Sequence, residues 1–312
     1  MDLFYVAAGL VLLVFAGDAL VKGAVALALR LGIPALIVGL TVVAFGTSAP
    51  ELIVSVNAAL NGQAGIALGN VVGSNIANIL LILGLPVLIA TIHTSLLDIR
   101  RGYIVMLATA VLLIVLSFLG PFTWWHGLIL LAGLALTLWD NIRIARAHRA
   151  DLAAQDLPEG ADPGMAVWKI TALILAGLVG LGFGADLLVD GAVNIARNFG
   201  ISETVIGLTL VAVGTSLPEL VTSVMAAFRK QADVAMGNVI GSNTFNILAI
   251  LGITSVIAPM EVPAQLLSFD LWVMLGVSLM LVPFVFFKLD IGKLAGIGLV
   301  GGYVAYAVAL VA

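Results

Sequence analysis

The sequence predicts an all-α polytopic membrane protein with ten transmembrane helices, arranged as two inverted-topology five-helix repeats. Three observations support this fold class: the composition, an internal duplication and the placement of the basic residues. Hydrophobic residues make up 62% and charged residues 10% of the 312 positions, and the mean hydropathy is +1.23. A composition this apolar is typical of chains whose helices cross a bilayer, and it argues against a water-soluble domain.

Ten apolar segments are long enough to cross a hydrocarbon core of about 30 Å. We expect the spans at about these positions: 3–28, 35–60, 66–90, 103–119, 125–145, 168–196, 203–228, 234–257, 270–287 and 294–311. The first residues lack the basic segment of a cleaved signal peptide, so we interpret them as the start of the first span. The chain contains no cysteine, which excludes disulfides and thiolate metal sites.

The duplication has a constant offset. Residues 39–52 (GLTVVAFGTSAPEL) recur at 207–220 (GLTLVAVGTSLPEL), and residues 69–80 recur at 237–248. The matched glutamates, Glu51 and Glu219, are 168 residues apart (219 − 51). We therefore expect residues 1–147 to form the first repeat, 148–167 a cytoplasmic linker, and 168–312 the second repeat.

The basic residues predict the orientation. Of thirteen lysines and arginines, all but Lys22 and Arg197 fall at one set of alternating connections, as follows: Arg30, Arg100, Arg101, Arg143, Arg146, Arg149, Lys169, Arg229, Lys230, Lys288 and Lys293. The positive-inside rule places these connections in the cytoplasm and both termini outside a cell (inner) membrane. An odd number of spans per repeat then inverts the second half relative to the first, an arrangement common among secondary transporters.

Each repeat also has a proline inside an apolar helix. A proline lacks the N–H of a helical turn and clashes with the carbonyl four residues earlier, so Pro50 and Pro218 should open helices 2 and 7 at Gly46 and Gly214. Irregular backbone at membrane depth is tolerated where it is buried in protein or lines a cavity. We therefore expect a functional site at these two breaks.

Oxygen-bearing side chains surround both breaks. Thr47 and Ser48 precede Glu51 by four and three residues, so the three side chains can share one helical face. The second repeat has the same arrangement in Thr215, Ser216 and Glu219. The helix after each break carries a polar stripe at positions i, i+4 and i+8, which comprises Asn70, Ser74 and Asn78 in the first repeat and Asn238, Ser242 and Asn246 in the second. Two carboxylates with hydroxyl and amide oxygens, and no nearby histidine or cysteine, suit a hard cation such as Ca²⁺ or Na⁺.

Some of these signals have a structural interpretation. A single Pro-Glu pair could mark a kink with a carboxylate reaching the surface, but two such accidents would not share identical surroundings. The GxxxG pairs that begin at Gly69 and Gly237 favour close helix packing. Asp18 and Asp186 also match at the 168-residue offset, and for them the alternatives are helix pairing and a role in the ion path.

The two motifs together, GTSxPE followed by GNxxGSNxxN in each half, resemble the sodium/calcium exchangers of the cation/calcium exchanger superfamily, prokaryotic type. The resemblance covers essentially the whole chain. It implies that the second and third helices of each half line a central chamber, and that the first and sixth spans slide to alternate access. The implied ion ligands are Glu51, Thr47, Ser48, Ser74, Asn78 and the carbonyl of Ala44, with Glu219, Thr215, Ser216, Ser242, Asn246 and the carbonyl of Ala212. Some members carry aspartate where this chain has Asn246, which leaves two inward carboxylates here.

We therefore expect a secondary antiporter that exchanges Ca²⁺ for Na⁺ by alternating access, with no enzymatic activity and no cofactor. Its partners would be inorganic cations and the lipid bilayer, with no nucleic acid, and it would work as a monomer. Within the transporter class, Ca²⁺/H⁺ exchange and potassium-dependent exchange stay open. The alternative from another class is an intramembrane aspartyl protease that uses Asp18 and Asp186, which would leave the duplicated Pro-Glu motifs unexplained.

Overall fold

Helices make up nearly all the regular structure of the computed structural model, which describes residues 1–148, 164–199 and 212–311. Extended pairing in this part of the chain is limited to two isolated antiparallel bridges, Ile92 with Ile291 and Phe122 with Met260. Ile92 and Met260 occupy matched positions at the 168-residue offset. Each bridge joins a connection in one half of the chain to a connection in the other.

The described helices of the first half are α1 (Asp2–Leu31), α2 (Ala35–Val38), α3 (Ala44–Thr47), α4 (Ala49–Leu60), α5 (Ala64–Ala77), α6 (Gly84–Ile89), α7 (Arg100–Phe118) and α8 (Trp124–His148). Those of the second half are α9 (Val167–Asn198), α10 (Ala212–Thr215), α11 (Leu217–Phe228), α12 (Ala232–Phe245), α13 (Gly252–Ile257), α14 (Leu271–Leu279), α15 (Val282–Phe286) and α16 (Lys293–Val311). Short π-helical segments continue four of these helices: Gly39–Val43 before α3, Asn78–Ile82 after α5, Asn246–Leu251 after α12 and Leu266–Asp270 before α14.

Within the described residues, eight helices are long and apolar enough to cross a membrane, and the bent pair Ala35–Thr47 and Ala49–Leu60 brings the number to nine. The predicted seventh span, 203–228, falls partly outside the described residues, where only its second part is seen as the apolar helix α11. The chain is therefore a helical multi-pass membrane protein, and the full count of ten stays a prediction. The central part of the predicted linker, 149–163, also lies outside the described residues.

The helix break in the first half lies at Ser48, two residues after the predicted position at Gly46. Ser48 has φ −83° and ψ 9°, and the flanking helices α3 and α4 meet at a bend of 45°. The helix continues past Gly46 because its amides still bond backward, as the N–H of Ser48 does to the carbonyl of Ala44 (3.1 Å). The second half shows the same shift, since α10 ends at Thr215 and α11 begins after Ser216.

The long helices α1 and α9 pack against each other in antiparallel orientation along most of their length. Their backbones approach so closely that a Cβ on Gly9 would lie 2.8 Å from the carbonyl oxygen of Gly184, and one on Gly177 would lie 2.9 Å from that of Ala16. Small residues allow this approach in the same way as in other membrane helix pairs. The two halves of the chain are therefore joined by their first helices.

The centre of the molecule is formed by the stretches Ala64–Ile89 and Ala232–Ile257, and within the most apolar 18 residues of each, 72% and 83% are buried. Gly241 of α12 packs against α3, where a Cβ would lie 2.7 Å from the Cβ of Ala44. Close packing at the second GxxxG pair is therefore confirmed for Gly241, and for Gly237, whose Cβ would lie 2.7 Å from the carbonyl oxygen of Leu36. This contact brings the polar stripe of α12 next to the first break.

Candidate functional site

The two motif glutamates lie at the breaks, in the first turns of α4 and α11, and each is 1% exposed. Proline is the second residue of each of these helices, a position where its missing N–H leaves no intrahelical bond unmade. The sequence thus begins a new helix just before each glutamate. Within the described residues, no lysine or arginine forms an ion pair with either carboxylate.

Each carboxylate is held by a serine from the other half. The hydroxyl of Ser48 donates to Oε1 of Glu219 at 2.9 Å, and the hydroxyl of Ser216 donates to Oε1 of Glu51 at 3.4 Å. These are matched contacts at the 168-residue offset. The two motifs, separated by most of the chain, therefore meet in one chamber.

The threonines and the two alanine carbonyls occupy the ends of the broken helices. Thr47 is buried, and its hydroxyl lies 3.3 Å from both the carbonyl oxygen of Ala44 and Oδ1 of Asn238. The Ala44 carbonyl also accepts the N–H of Ser48 (3.1 Å), so an ion at this oxygen would replace one of these bonds. Thr215 is half-buried at the end of α10, and Ala212 is the first residue of that helix.

The four implied ligands from α5 and α12 are all buried: Ser74, Asn78, Ser242 and Asn246. In both halves the π-helical segment begins at the last asparagine of the stripe. A π-helical turn is uncommon and is found frequently at functional sites. In both halves, regular α-helical structure therefore ends at a residue implied to bind the ion.

A second pair of asparagines, which sequence reasoning did not single out, orients the first. The Nδ2 of Asn78 donates to Oδ1 of Asn243 at 2.8 Å, and the Nδ2 of Asn246 donates to Oδ1 of Asn75 at 3.0 Å. Because the amide nitrogens are engaged, the Oδ1 atoms of Asn78 and Asn246 are left to face a cation. Both additional residues belong to the duplicated GSN triplets, so the 168-residue offset was the signal that could have found them.

The first asparagine of each stripe braces the helix that begins at the break. The Nδ2 of Asn70 donates to the backbone carbonyl of Glu51 (3.2 Å) and to the hydroxyl of Ser55 (3.0 Å). The Nδ2 of Asn238 makes the matched bonds to Glu219 and Ser223, each at 3.1 Å. These bonds fix where α4 and α11 begin relative to α5 and α12.

Buried oxygens without a hydrogen-bond partner are concentrated in the chamber. Seven buried side-chain N or O atoms lack a hydrogen-bond partner among the described residues, and five of them belong to implied ligands. The five are Oε2 of Glu51, Oε2 of Glu219, Oδ1 of Asn78, Oδ1 of Asn246 and Oγ of Ser242. Buried polar atoms are almost always paired, and buried charges need compensation. A hard cation would satisfy all five with the oxygen ligands it prefers.

Asp18 and Asp186 lie apart from this chamber and from each other. Asp18 pairs with Lys22 (2.7 Å) and with Arg229, which supports the helix-pairing interpretation for this residue, while Asp186 is exposed. On the antiparallel pair α1 and α9, Asp18 lies near the level of Gly177, nine residues from Asp186. At about 1.5 Å per residue this separates the two levels by roughly 13 Å, so the carboxylates do not form the dyad of an aspartyl protease.

Comparisons with known proteins find similar sequences and structures over nearly the whole chain. The family described as sodium/calcium exchanger protein matches residues 1–141 and 169–312. The chain is 35% identical to the sodium/calcium exchanger MaX1 of Methanosarcina acetivorans, covering 97% of this chain and 96% of the relative. It is 38% identical to the inner membrane protein YrbG of Escherichia coli, covering 96% and 93%. Among solved structures, the sodium-calcium exchanger NCX_Mj soaked with 10 mM Na⁺ and zero Ca²⁺ superposes with a TM-score of 0.83 at 33% identity, covering 99% and 98% of the two chains.

Proposed function

From the premise that this chain belongs to the sodium/calcium exchanger family, and is therefore a multi-pass cation/calcium antiporter, we propose that it couples Ca²⁺ transport to a Na⁺ gradient by alternating access. The observation that carries the proposal is the pair of buried glutamates, each with one carboxylate oxygen that has no partner among the described residues. Two negative charges in a protein interior require cations, and the relatives that match over the whole chain include a sodium/calcium exchanger.

Charge balance gives the coupling mechanism. One Ca²⁺ or two Na⁺ neutralise Glu51 and Glu219, whereas both kinds of ion together would overcharge the chamber. Because the same oxygens serve both ions, binding of one excludes the other. Competition for one site, together with access from one side at a time, converts a sodium gradient into a calcium flux.

The proposed architecture is ten spans in two inverted repeats. It is supported by reciprocal contacts at the 168-residue offset, such as Ser48 with Glu219 and Ser216 with Glu51. The family also matches the chain as two segments of similar length on either side of the predicted linker. The alternating basic connections further support cytoplasmic placement of the linker and external placement of both termini.

The direct test is uptake of radioactive calcium into Na⁺-loaded proteoliposomes, with Na⁺, K⁺ and proton gradients imposed separately. We expect uptake that requires an outward Na⁺ gradient and persists when pH and K⁺ are equal on both sides. Uptake driven by a proton gradient alone would favour Ca²⁺/H⁺ exchange, and an absolute requirement for K⁺ would favour the potassium-dependent variant. Either result would refute simple Na⁺/Ca²⁺ exchange.

A further inference from the structure

The pair α1 and α9 breaks the symmetry that the chamber obeys. Both helices pack against α11, the helix that begins at the second break. Neither packs in the same way against α4, the matched helix of the first half, although all three helices lie within the described residues. The outer pair, α1 and α9, therefore lies over α11 and makes no comparable packing with the matched helix α4.

Matched residues show the asymmetry directly. Val221 of α11 lies against α1, where a Cβ on Gly17 would be 2.9 Å from its side chain. Its counterpart on α4 is Ile53, which is 62% exposed, and Asn57, the counterpart of the nearby Met225, is exposed as well. In the proposed topology α11 ends at the cytoplasmic connection and α4 ends outside, so the covered helix is the one that leads to the cytoplasm.

An ion-pair cluster lies on the covered side. Asp18 of α1 accepts hydrogen bonds from Arg229, the residue that ends α11, and its second oxygen lies 2.7 Å from Nζ of Lys22. The side chains of Asp18 and Arg229 are 22% and 32% exposed, which partly shields them from water. Arg229 also lies at the C-terminal end of α11, where a positive charge is favourable.

The matched side has no such cluster. At the 168-residue offset Asp18, Lys22 and Arg229 correspond to Asp186, Asp190 and Asn61, which contain no cation. The ion pairs can therefore stabilise the arrangement in which α1 covers α11, and the three matched residues cannot form the same pairs.

We propose that Asp18 and Arg229 are positioning residues that latch α1 over the cytoplasmic entrance and so bias the exchanger toward the outward-facing state. The proposal rests on the proposed function for its topology and for the movement of α1. It assigns the pair no contact with the transported ions. Ion pairs of this exposure contribute modestly, so the bias is a shift in population that sliding of α1 can still overcome.

The test uses cysteine accessibility, which does not depend on transport. The chain has no native cysteine, and Ala226 of α11 is 0% exposed in a hydrophobic cluster that α1 forms with its neighbours. A cysteine at Ala226 should react with an impermeant maleimide from the cytoplasmic side only when α1 moves away. The external reporter is a cysteine at Asn57 of α4, which is exposed.

We expect Asp18→Asn to raise the cytoplasmic labelling rate at position 226 by roughly threefold to tenfold, the range for a part-exposed charged contact, and to lower external labelling at position 57. Arg229→Gln should give the same change. The double variant should add little, because both substitutions remove one interaction. The half-saturating Ca²⁺ on the cytoplasmic side should fall by the same factor, because more of the protein is competent to bind there.

The matched control is Asp186→Asn, which removes the corresponding charge from α9 and should change neither rate. Equal effects of Asp18→Asn and Asp186→Asn, or faster labelling at both reporter positions, would show a general loosening and overturn the latch. An unchanged labelling rate in Asp18→Asn would also overturn it. If the labelling pattern holds but the wild type exchanges no Ca²⁺, the latch stands and the proposed function fails.

Discussion

Replacing either motif glutamate with glutamine should abolish Ca²⁺ binding and exchange while leaving the fold intact. In Glu51→Gln the amide oxygen can still accept the hydrogen bond that the hydroxyl of Ser216 donates to Oε1 in the wild type. The amide nitrogen would take the place of Oε2, which has no partner among the described residues, and would point an N–H group at the cation. Glu219→Gln should behave in the same way, because Ser48 makes the matched contact.

The size of the effect follows from burial. Each glutamate is 1% exposed, so water screens its charge poorly. At an effective dielectric constant near 20, two unit charges 4 Å apart interact by about 4 kcal/mol. Because Ca²⁺ carries two charges, loss of one carboxylate should weaken its binding by about a thousandfold or more.

Two measurements check this prediction on purified protein. Calcium-dependent thermal stabilisation should be present in the wild type and absent in both variants, since a ligand at 100 times its Kd contributes about 2.7 kcal/mol. Without Ca²⁺ the variants should melt no lower than the wild type, because a neutral amide replaces a buried carboxylate without an ion-pair partner. Glu261→Gln is the matched control, since Glu261 is exposed and should keep wild-type exchange. Wild-type Ca²⁺ flux in Glu51→Gln or Glu219→Gln would refute the site.

The remaining predictions concern topology, the amide pair and helix packing. Single cysteines at Gly62 and Ser268 should label with an impermeant maleimide on intact cells, and a cysteine at Asp156 should not. Labelling at Asp156, or failure at both other positions, would contradict the inverted arrangement. Asn246→Asp adds a third carboxylate and should lower the half-saturating Ca²⁺ concentration at all pH values. A new pH dependence of exchange between about 5 and 8 would show instead that the aspartate binds protons. If neither the half-saturating Ca²⁺ nor the pH dependence changes, position 246 does not face the ions. Gly241→Ala places a Cβ 2.7 Å from that of Ala44 and should destabilise the protein by about 1–3 kcal/mol, measured as a lower Tm. Gly276→Ala should not lower the Tm, because a Cβ there meets no described atom within 4 Å.

The sequence was informative wherever a single segment carried the signal. Apolar length located the helices, and the GTSxPE repeat located both glutamates before any contact was known. Helix ends were less certain, because α1 runs past the predicted residue 28 to Leu31 and stops at Gly32, whose φ of 62° ends the helix. Arg30 had suggested a connection there, but a basic residue in a last helical turn is also favourable.

Contacts between the halves could not be predicted from one segment. The 168-residue offset marks Asn75 and Asn243 as repeated, but a repeat does not tell which amide of one half meets which amide of the other. The choice depends on how α5 and α12 cross, which neither segment encodes alone.

The chamber repeats its contacts at the 168-residue offset, whereas the outer pair α1 and α9 does not. Alternating access requires this difference. Inside the chamber the contacts are reciprocal, since Asn78 bonds to Asn243 as Asn246 bonds to Asn75. Around it, α1 and α9 lie over only one of the two matched helices. Two access states of an inverted repeat are related by exchanging the roles of the halves. In the proposed mechanism, a symmetric centre can therefore keep its ligands in both states, while the outer pair moves to uncover one side and cover the other.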